Sequence, residues 1–155
     1  MFVRSSGARS LLMALLLTYP AALAVAAPAC YRPAEIEADE AAHFQAELMV
    51  LSDTCGDKVY THFAAQNHRA MADYQRTLIE RFRRAGSRNA EGALDSYLTR
   101  LSNEVSLRDG REPVVTLCRQ SADLLAKADH FTDSEFRHYI AERAAARRDY
   151  RRCAG

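Results

Sequence analysis

Two copies of the pattern Glu-x-x-His are the residues of this chain best suited to chemistry. Glu40 and His43 form one pair, and Glu135 and His138 form the other. Side chains three positions apart lie on the same face of an α-helix, so one pair can bind one metal ion. Di-iron helical bundles use two such pairs together with single glutamates from two further helices. The pattern therefore raises the hypothesis of a metal-binding helical bundle.

The position of the pairs on their helices argues against this hypothesis. The apolar faces of the two helices are marked by Phe44 and by Phe136. Each glutamate lies at the edge of its face and each histidine lies well outside it, because successive residues of a helix turn by about 100°. Glu135 also fits the last position of a capping box that begins at Thr132. We therefore expect all four side chains to be exposed, with no bound metal ion or cofactor.

Nucleophilic catalysis has no recognisable pattern in the chain. The sequence contains no G-x-S-x-G turn, no H-E-x-x-H helix and no glycine-rich phosphate loop. The remaining histidines, His62, His68 and His130, are spaced too irregularly to form a ligand cluster. We expect a protein without enzymatic activity. A hydrolase whose site forms only in the folded chain is the alternative.

Positive charge is concentrated near the C-terminus. This segment contains Arg143, Arg147, Arg148, Arg151 and Arg152. Cations near the C-terminal end of a helix complement its dipole, and this explains the cluster without assigning it a function. The functional interpretation is contact with an anionic partner, either an anionic surface or a periplasmic protein. Four further arginines between residues 81 and 88 could join the cluster in space.

The first 26 residues have the three parts of a cleavable export signal. Arg4 and Arg9 supply a positive start, residues 11–27 carry no charge, and small residues precede the expected cleavage after Ala26. We therefore expect a periplasmic or secreted protein whose single domain covers residues 27–155. The alternatives are an uncleaved membrane anchor, for which an apolar run of about 17 residues is short, and acylation at Cys30.

The charge balance excludes one class of partner. Two of the 21 Lys+Arg residues belong to the predicted signal. After its cleavage, 19 Lys+Arg residues remain, against 20 Asp+Glu. A net charge near −1 does not favour nucleic acid binding. No second apolar stretch is long enough to cross a membrane, so we expect no transmembrane segment in the mature chain.

The apolar spacing predicts helices almost throughout the mature chain. We expect an all-α bundle of four or five helices, over residues 33–54, 57–85 and 89–108, from about 113, and after 132. Asn67 is the one clear polar residue on the apolar stripe of the second helix. No alternating strand pattern and no internal repeat of fixed period is present.

Several short segments carry a family resemblance. They are Gln45-x-Glu47-Leu48-Met49-Val50 followed by Cys55, then Phe82 before Gly86, then Tyr97-Leu98-Thr99-x-Leu101-x-Asn103, and finally Cys118. Over about residues 40–120 the chain resembles a group of small secreted helical proteins from alphaproteobacteria. The resemblance implies an exported, all-helical protein in which Cys55 pairs with Cys118.

Four cysteines allow three pairings, and helix geometry disfavours one of them. Cys30 and Cys55 flank the first helix, which would hold them roughly 30 Å apart if it is straight. An up-and-down bundle also favours Cys55 with Cys118, and Cys30 with Cys153 follows by elimination. Five strictly alternating helices would place Cys30 and Cys153 at opposite ends, however, so the second pairing stays open. Structural disulfides are the expected role, because no C-x-x-C motif or zinc-like spacing is present.

Overall fold

Six α-helices make up most of residues 30–153, the part of the chain that the structure, a computed structural model, describes. They are α1 (Pro33–Cys55), α2 (Val59–Gln66), α3 (His68–Arg84), α4 (Ala90–Asp109), α5 (Val114–Asp129) and α6 (Asp133–Ala146). The predicted all-α class is confirmed, but these residues form six helices rather than four or five. The predicted export signal lies outside the described residues.

The additional helix arises because the predicted helix over 57–85 is broken at Asn67. This residue is fully buried, and it separates α2 from α3. Its side-chain amide donates to the Phe63 carbonyl at 2.9 Å and to the Phe131 carbonyl at 3.1 Å. The amide nitrogen of this buried side chain is therefore satisfied by two backbone acceptors, whereas its carbonyl oxygen has no hydrogen-bond partner among the described residues.

The six helices form four rods of alternating direction. The first rod is α1, the second is α2 with α3, the third is α4, and the fourth is α5 with α6. Cys118 near the start of α5 is bonded to Cys55 at the end of α1. Arg143 near the end of α6 reaches Glu40 near the start of α1. The fourth rod therefore runs antiparallel to α1 along its length, and an even number of rods brings both ends of the described chain together.

The breaks in the second and fourth rods lie side by side and support each other. Asn67 at the first break donates to Phe131 at the second. In return, the carboxylate of Asp133, at the start of α6, accepts from the backbone N–H of Ala70 at 2.9 Å. Free backbone groups at a helix end need such partners. The predicted capping box of α6 is also confirmed, since Thr132 and Glu135 bond each other's backbone N–H.

The core lies on both sides of α1, which contacts every other helix. On one side Phe44 packs against Phe63 and Phe136, with ring centres 5.6 and 5.7 Å apart. On the other side α1 presents small residues to α3 and α4, namely Ala38, Ala42 and Ala46. The predicted apolar face of α1, which contains Phe44, is therefore correct. The second buried face was missed, because its small alanine side chains do not form a distinct apolar stripe in the sequence.

Two disulfides join the chain, Cys55 to Cys118, as predicted, and Cys30 to Cys153, the pairing that followed by elimination and had stayed open. Beside the first, the backbone N–H of Tyr31 donates to Arg151 at 2.8 Å, and that of Cys153 donates to Tyr31 at 3.0 Å. Disulfides of this kind are typical of an oxidising, non-cytoplasmic compartment. Among residues 30–153, no helix is both long and apolar enough to cross a bilayer.

Candidate functional site

The two Glu-x-x-His pairs do not come together in the folded chain. Glu135 is engaged with Thr132, its carboxylate accepting from the hydroxyl at 2.6 Å. His138 is exposed and lies 3.2 Å from Glu142, one turn further along α6. His43 is half-buried, 3.8 Å from Asp39. Residues 30–153 contain no group of three or more histidine, cysteine or acidic side chains arranged to hold a metal ion.

Glu40 was expected to be exposed, and that prediction is wrong. Its side chain is only 2% exposed. The guanidinium of Arg143 donates to it at 2.6 Å, and that of Arg147 donates at 2.7 Å. The periodicity of α1 places Glu40 at the edge of the apolar face, and α6 then covers that edge. The two arginines, which lie more than 100 residues away in the chain, supply the charge that makes this burial possible.

These contacts also change the interpretation of the C-terminal arginines. Arg143 lies between the carboxylates of Glu40 and Glu47, and Arg147 between those of Glu40 and Asp149. The hydrogen bond from Arg147 lowers the pKa of Asp149 to about 2. Two of the five arginines predicted to contact an anionic partner are thus occupied by internal ion pairs.

A second buried carboxylate lies beside Glu40. Asp39 accepts hydrogen bonds from the hydroxyls of Tyr97 at 2.7 Å and Tyr150 at 2.5 Å. Burial first, and then the negative charge of Asp39, raise the pKa of both phenols well above the usual value. These contacts fasten α4 and the segment after α6 to α1. Nothing in the sequence predicts these hydrogen bonds, apart from the fact that each tyrosine carries a hydroxyl group.

The two arginine segments meet at the end of the bundle that carries the Cys30–Cys153 bond. Arg84, in the last turn of α3, donates to the carbonyl of Cys30 at 3.0 Å and to Glu35 at 2.7 Å. Arg81 stacks on the ring of Tyr31, with 3.8 Å between the guanidinium carbon and the ring centre. The suggestion that both basic segments share one surface is therefore consistent with the fold.

Five exposed arginines lie at this end, and we call them the arginine pole: Arg32, Arg88, Arg148, Arg151 and Arg152. Within the described residues, none of them has a carboxylate oxygen within 4.0 Å. Most nearby acidic side chains are already paired, Glu35 with Arg84 and Glu91 with Arg83. Glu37 lines the same cavity as Arg152, and within residues 30–153 it has no cation within 4.0 Å. The pole is therefore a surface of positive charge on a chain whose overall charge is close to zero. Arg32 had not been identified from the sequence, because it stands alone before α1.

The described residues also bear on the hydrolase alternative. Where a histidine of residues 30–153 forms a hydrogen bond, its partner is never a serine or threonine hydroxyl. His62 lies between Asp129, at 2.8 Å, and Gln66, at 2.7 Å. A catalytic histidine has a carboxylate on one ring nitrogen and a nucleophile on the other. His62 has the carboxylate, but the amide of Gln66 takes the place of the nucleophile. These contacts join α2 to the end of α5.

Comparison of the chain with protein-family models, with curated proteins and with solved structures found no match.

Proposed function

We propose that this protein is an exported, non-catalytic helical module that uses the arginine pole to bind an anionic surface. A periplasmic or secreted location, cleavage after Ala26, and kinship with small secreted helical proteins of alphaproteobacteria belong to the same proposal. The single observation that carries it is the pairing pattern at the pole. Most acidic side chains there bond to Arg83, Arg84, Arg143 and Arg147, and the five arginines of the pole are exposed without a paired carboxylate among the described residues. Arg152 also donates to the backbone carbonyl of Arg147 at 3.3 Å.

The distribution of charge along the bundle supports this proposal. At the opposite end, the exposed cations are accompanied by a similar number of carboxylates; they are Lys58, Arg108, Arg111 and Arg119, with Asp53, Asp57, Asp109 and Glu112. That end is therefore close to neutral, whereas the pole has arginines without a paired carboxylate. A protein with a net charge near zero can still bind an anionic surface in this way, because a local patch acts over about 8–10 Å at physiological salt.

Anionic lipid headgroups are the partner we favour. Guanidinium groups form bidentate hydrogen bonds with phosphate, so exposed arginines suit a phospholipid surface. The apolar segment of the predicted signal ends at residue 27, three residues before Cys30, and Cys30 lies at the pole. Three extended residues span roughly 10 Å. Before cleavage, the pole would thus be the part of the folded domain nearest the bilayer.

The test is the partition of the mature chain between buffer and lipid vesicles. Vesicles that contain phosphatidylglycerol should bind it, and pure phosphatidylcholine vesicles should not. Each arginine near an anionic bilayer contributes about 1 kcal/mol. The triple variant R148Q/R151Q/R152Q should therefore reduce binding on the order of a hundredfold. Raising the salt concentration from 50 to 500 mM should release the wild-type chain.

A matched control uses three exposed arginines away from the pole, in the variant R69Q/R111Q/R119Q. It makes the same change in net charge and should retain most of the binding. Equal losses in the two triple variants would show that overall charge, not the pole, is responsible. Absence of vesicle binding, together with a salt-sensitive acidic protein captured only by the intact pole, would make the lipid assignment wrong and leave the pole as a protein-binding surface.

A further inference from the structure

We propose that a groove between the end of α5 and the first three turns of α6 binds a small organic cation, an ammonium ion with a flat apolar body. None of the five arginines of the pole lines this groove, so the inference does not depend on the proposed lipid binding. The volume of the groove is about 480 Å³, within the range of about 300–1,000 Å³ typical of small-molecule sites. Most of its lining is apolar.

Two aromatic rings form the apolar part of the groove. Phe131 is buried, Tyr139 is half-buried, and their ring centres are 5.1 Å apart. The hydroxyl of Tyr139 accepts a hydrogen bond from Arg143 at 3.3 Å, and the charge of that arginine is already balanced by Glu40 and Glu47. Aromatic rings pack well against flat apolar molecules, and their faces attract cations. The two rings therefore suit a ligand that combines a flat body with a positive charge.

A cation of the protein already lies over these rings. The ammonium of Lys127 is 4.5 Å from the ring centre of Tyr139 and 5.7 Å from that of Phe131. Lys127 is exposed, and within the described residues no carboxylate oxygen lies within 4.0 Å of its ammonium. A lysine side chain is flexible, so the ammonium of a ligand can take this place while Lys127 turns into the solvent.

The wall of the groove that α6 forms carries two carboxylates. Glu135 and Glu142 are seven residues apart, which places them on one face of the helix, about 10 Å from each other along its axis. Tyr139 lies between them on the same face. A ligand that lies over Tyr139 is therefore flanked by a carboxylate on either side.

The charges of these two carboxylates are not balanced within the groove. Among the described residues, the hydrogen bonds to Glu135 come from the neutral Thr132, and they lower the pKa of Glu135, so it stays ionised at neutral pH. The neighbour of Glu142, His138, is charged only when it is protonated. With neutral histidines, two carboxylates thus lie against the single ammonium of Lys127, and a cationic ligand supplies the missing positive charge.

Three probes that share a naphthalene body separate the effect of charge from that of shape. They are the cation 2-naphthylmethylammonium, the neutral 2-naphthylmethanol and the anion 2-naphthoate, each titrated into the mature, disulfide-bonded chain by isothermal calorimetry at pH 8, where histidine is ordinarily neutral. An exposed ion pair is worth up to about fivefold in affinity. The ammonium should therefore bind saturably and roughly fivefold more tightly than the alcohol, and naphthoate should bind more weakly than either. In NMR spectra, the ammonium should shift the ring signals of Tyr139 and Phe131.

Two charge variants test the electrostatic part of the proposal. The variant K127Q removes the competing ammonium and should tighten binding of the cationic probe about two- to fivefold, whereas K58Q, at the other lysine of the chain, should not. The variant E142Q leaves one carboxylate against Lys127 and should bring the affinities for the ammonium and the alcohol to within about twofold of each other. Its control, E104Q on α4, removes a carboxylate of nearly the same exposure, 63% against 65%, and should leave the difference intact.

A steric variant locates the site. S134W places a large ring in the groove and should weaken binding of the ammonium and of the alcohol more than tenfold. Q120W introduces the same side chain at an exposed position of α5 outside the groove and should leave both affinities unchanged.

Four results would overturn the proposal. The first is absence of saturable binding of the ammonium up to millimolar concentration. The second is binding of the alcohol or of naphthoate to the wild-type chain as tightly as the ammonium. The third is weaker binding of the ammonium by K127Q, because Lys127 would then not compete with the ligand. The fourth is unchanged binding by S134W when its circular dichroism and thermal melting match those of the wild type, which would place the probes elsewhere on the molecule.

Discussion

Replacing Glu40 by glutamine should destabilise the protein strongly, because it leaves two arginines without their shared counter-charge. The Glu40 side chain is 2% exposed, whereas those of Arg143 and Arg147 are 31% and 33% exposed. Removing one member of a buried ion pair costs about 3–5 kcal/mol. Both guanidiniums can rehydrate through their exposed third, so we expect a loss at or just below the lower end of that range, about 2–3 kcal/mol. The substitution conserves shape, so no cavity contributes.

Replacing either arginine alone should reduce the free energy of unfolding less than replacing Glu40, the carboxylate that both arginines bind. In R147Q, Glu40 keeps its bond from Arg143, and in R143Q it keeps the bond from Arg147. Each of these variants should lose about 1.5 kcal/mol, the lower end of the range for a hydrogen bond to a charged group. The other pairs of Arg143 with Glu47 and of Arg147 with Asp149 are partly exposed and should add little. Because all three groups act on one site, the effects of E40Q and R147Q in the double variant should not add.

Urea denaturation of the mature, oxidised chain, followed by circular dichroism, measures these differences. The control is E104Q, which removes a pair with Arg100 at 3.8 Å, in which both side chains are more than 60% exposed. Such a pair contributes less than about 0.5 kcal/mol. If E40Q costs no more than E104Q, the carboxylate of Glu40 is not held by a buried ion pair, and the account of this region is wrong.

Three further perturbations test other parts of the structure. The variant N67A leaves the Phe131 carbonyl unsatisfied at the paired breaks and should cost about 1–3 kcal/mol in urea denaturation. The variant D133N should cost about 1 kcal/mol at pH 7 and less at pH 3. The hydrogen bond from Arg137, aided by the N–H of Ala70, lowers the pKa of Asp133, so its contribution is present above about pH 4 and lost as the pH falls further. Absorbance titration should find Tyr97 and Tyr150 unionised at pH 11, and stability should fall above about pH 10, because burial raises the pKa of both phenols in the folded state only.

For each of these predictions, one outcome would contradict the structural explanation. Equal stability of N67A and of N103A, a change at an exposed asparagine on α4, would mean that the amide of Asn67 does not hold the two breaks together. A loss in D133N that is the same at pH 7 and pH 3 would mean that the charge of Asp133 is not involved. A titration in which every phenol of the native chain ionises near pH 10 would contradict the burial of Tyr97 and Tyr150.

Local signals in the sequence were sufficient to predict where most helices begin and end. Pro33 starts α1, and the left-handed glycines Gly56 and Gly86 follow α1 and α3, where φ is 72° and 92°. The capping box at Thr132 was also predicted correctly. These features depend on residues within one or two turns of each other, so they can be read without knowledge of the fold.

The features that sequence reasoning missed all depend on distant partners. Asn67 stood out as a polar residue on an apolar stripe, but the carbonyl it bonds, at Phe131, is 64 residues away. Glu40 was predicted to be exposed because nothing near it in the sequence indicates that Arg143 of α6 and Arg147 just after it would cover it. The objection to the Cys30–Cys153 pair came from counting five helices, whereas residues 30–153 fold into four rods and bring these two cysteines together.

The most direct test of the proposed function is hydrogen–deuterium exchange of the mature chain with and without phosphatidylglycerol vesicles. The account predicts slower exchange, on binding, in the segments that carry the arginine pole, residues 30–32, 85–89 and 147–153, with little change elsewhere. Slowed exchange centred instead on the facing ends of α4 and α5, where Leu107 and Val115 are exposed, or no change at any segment, would contradict the claim that the pole is the binding surface.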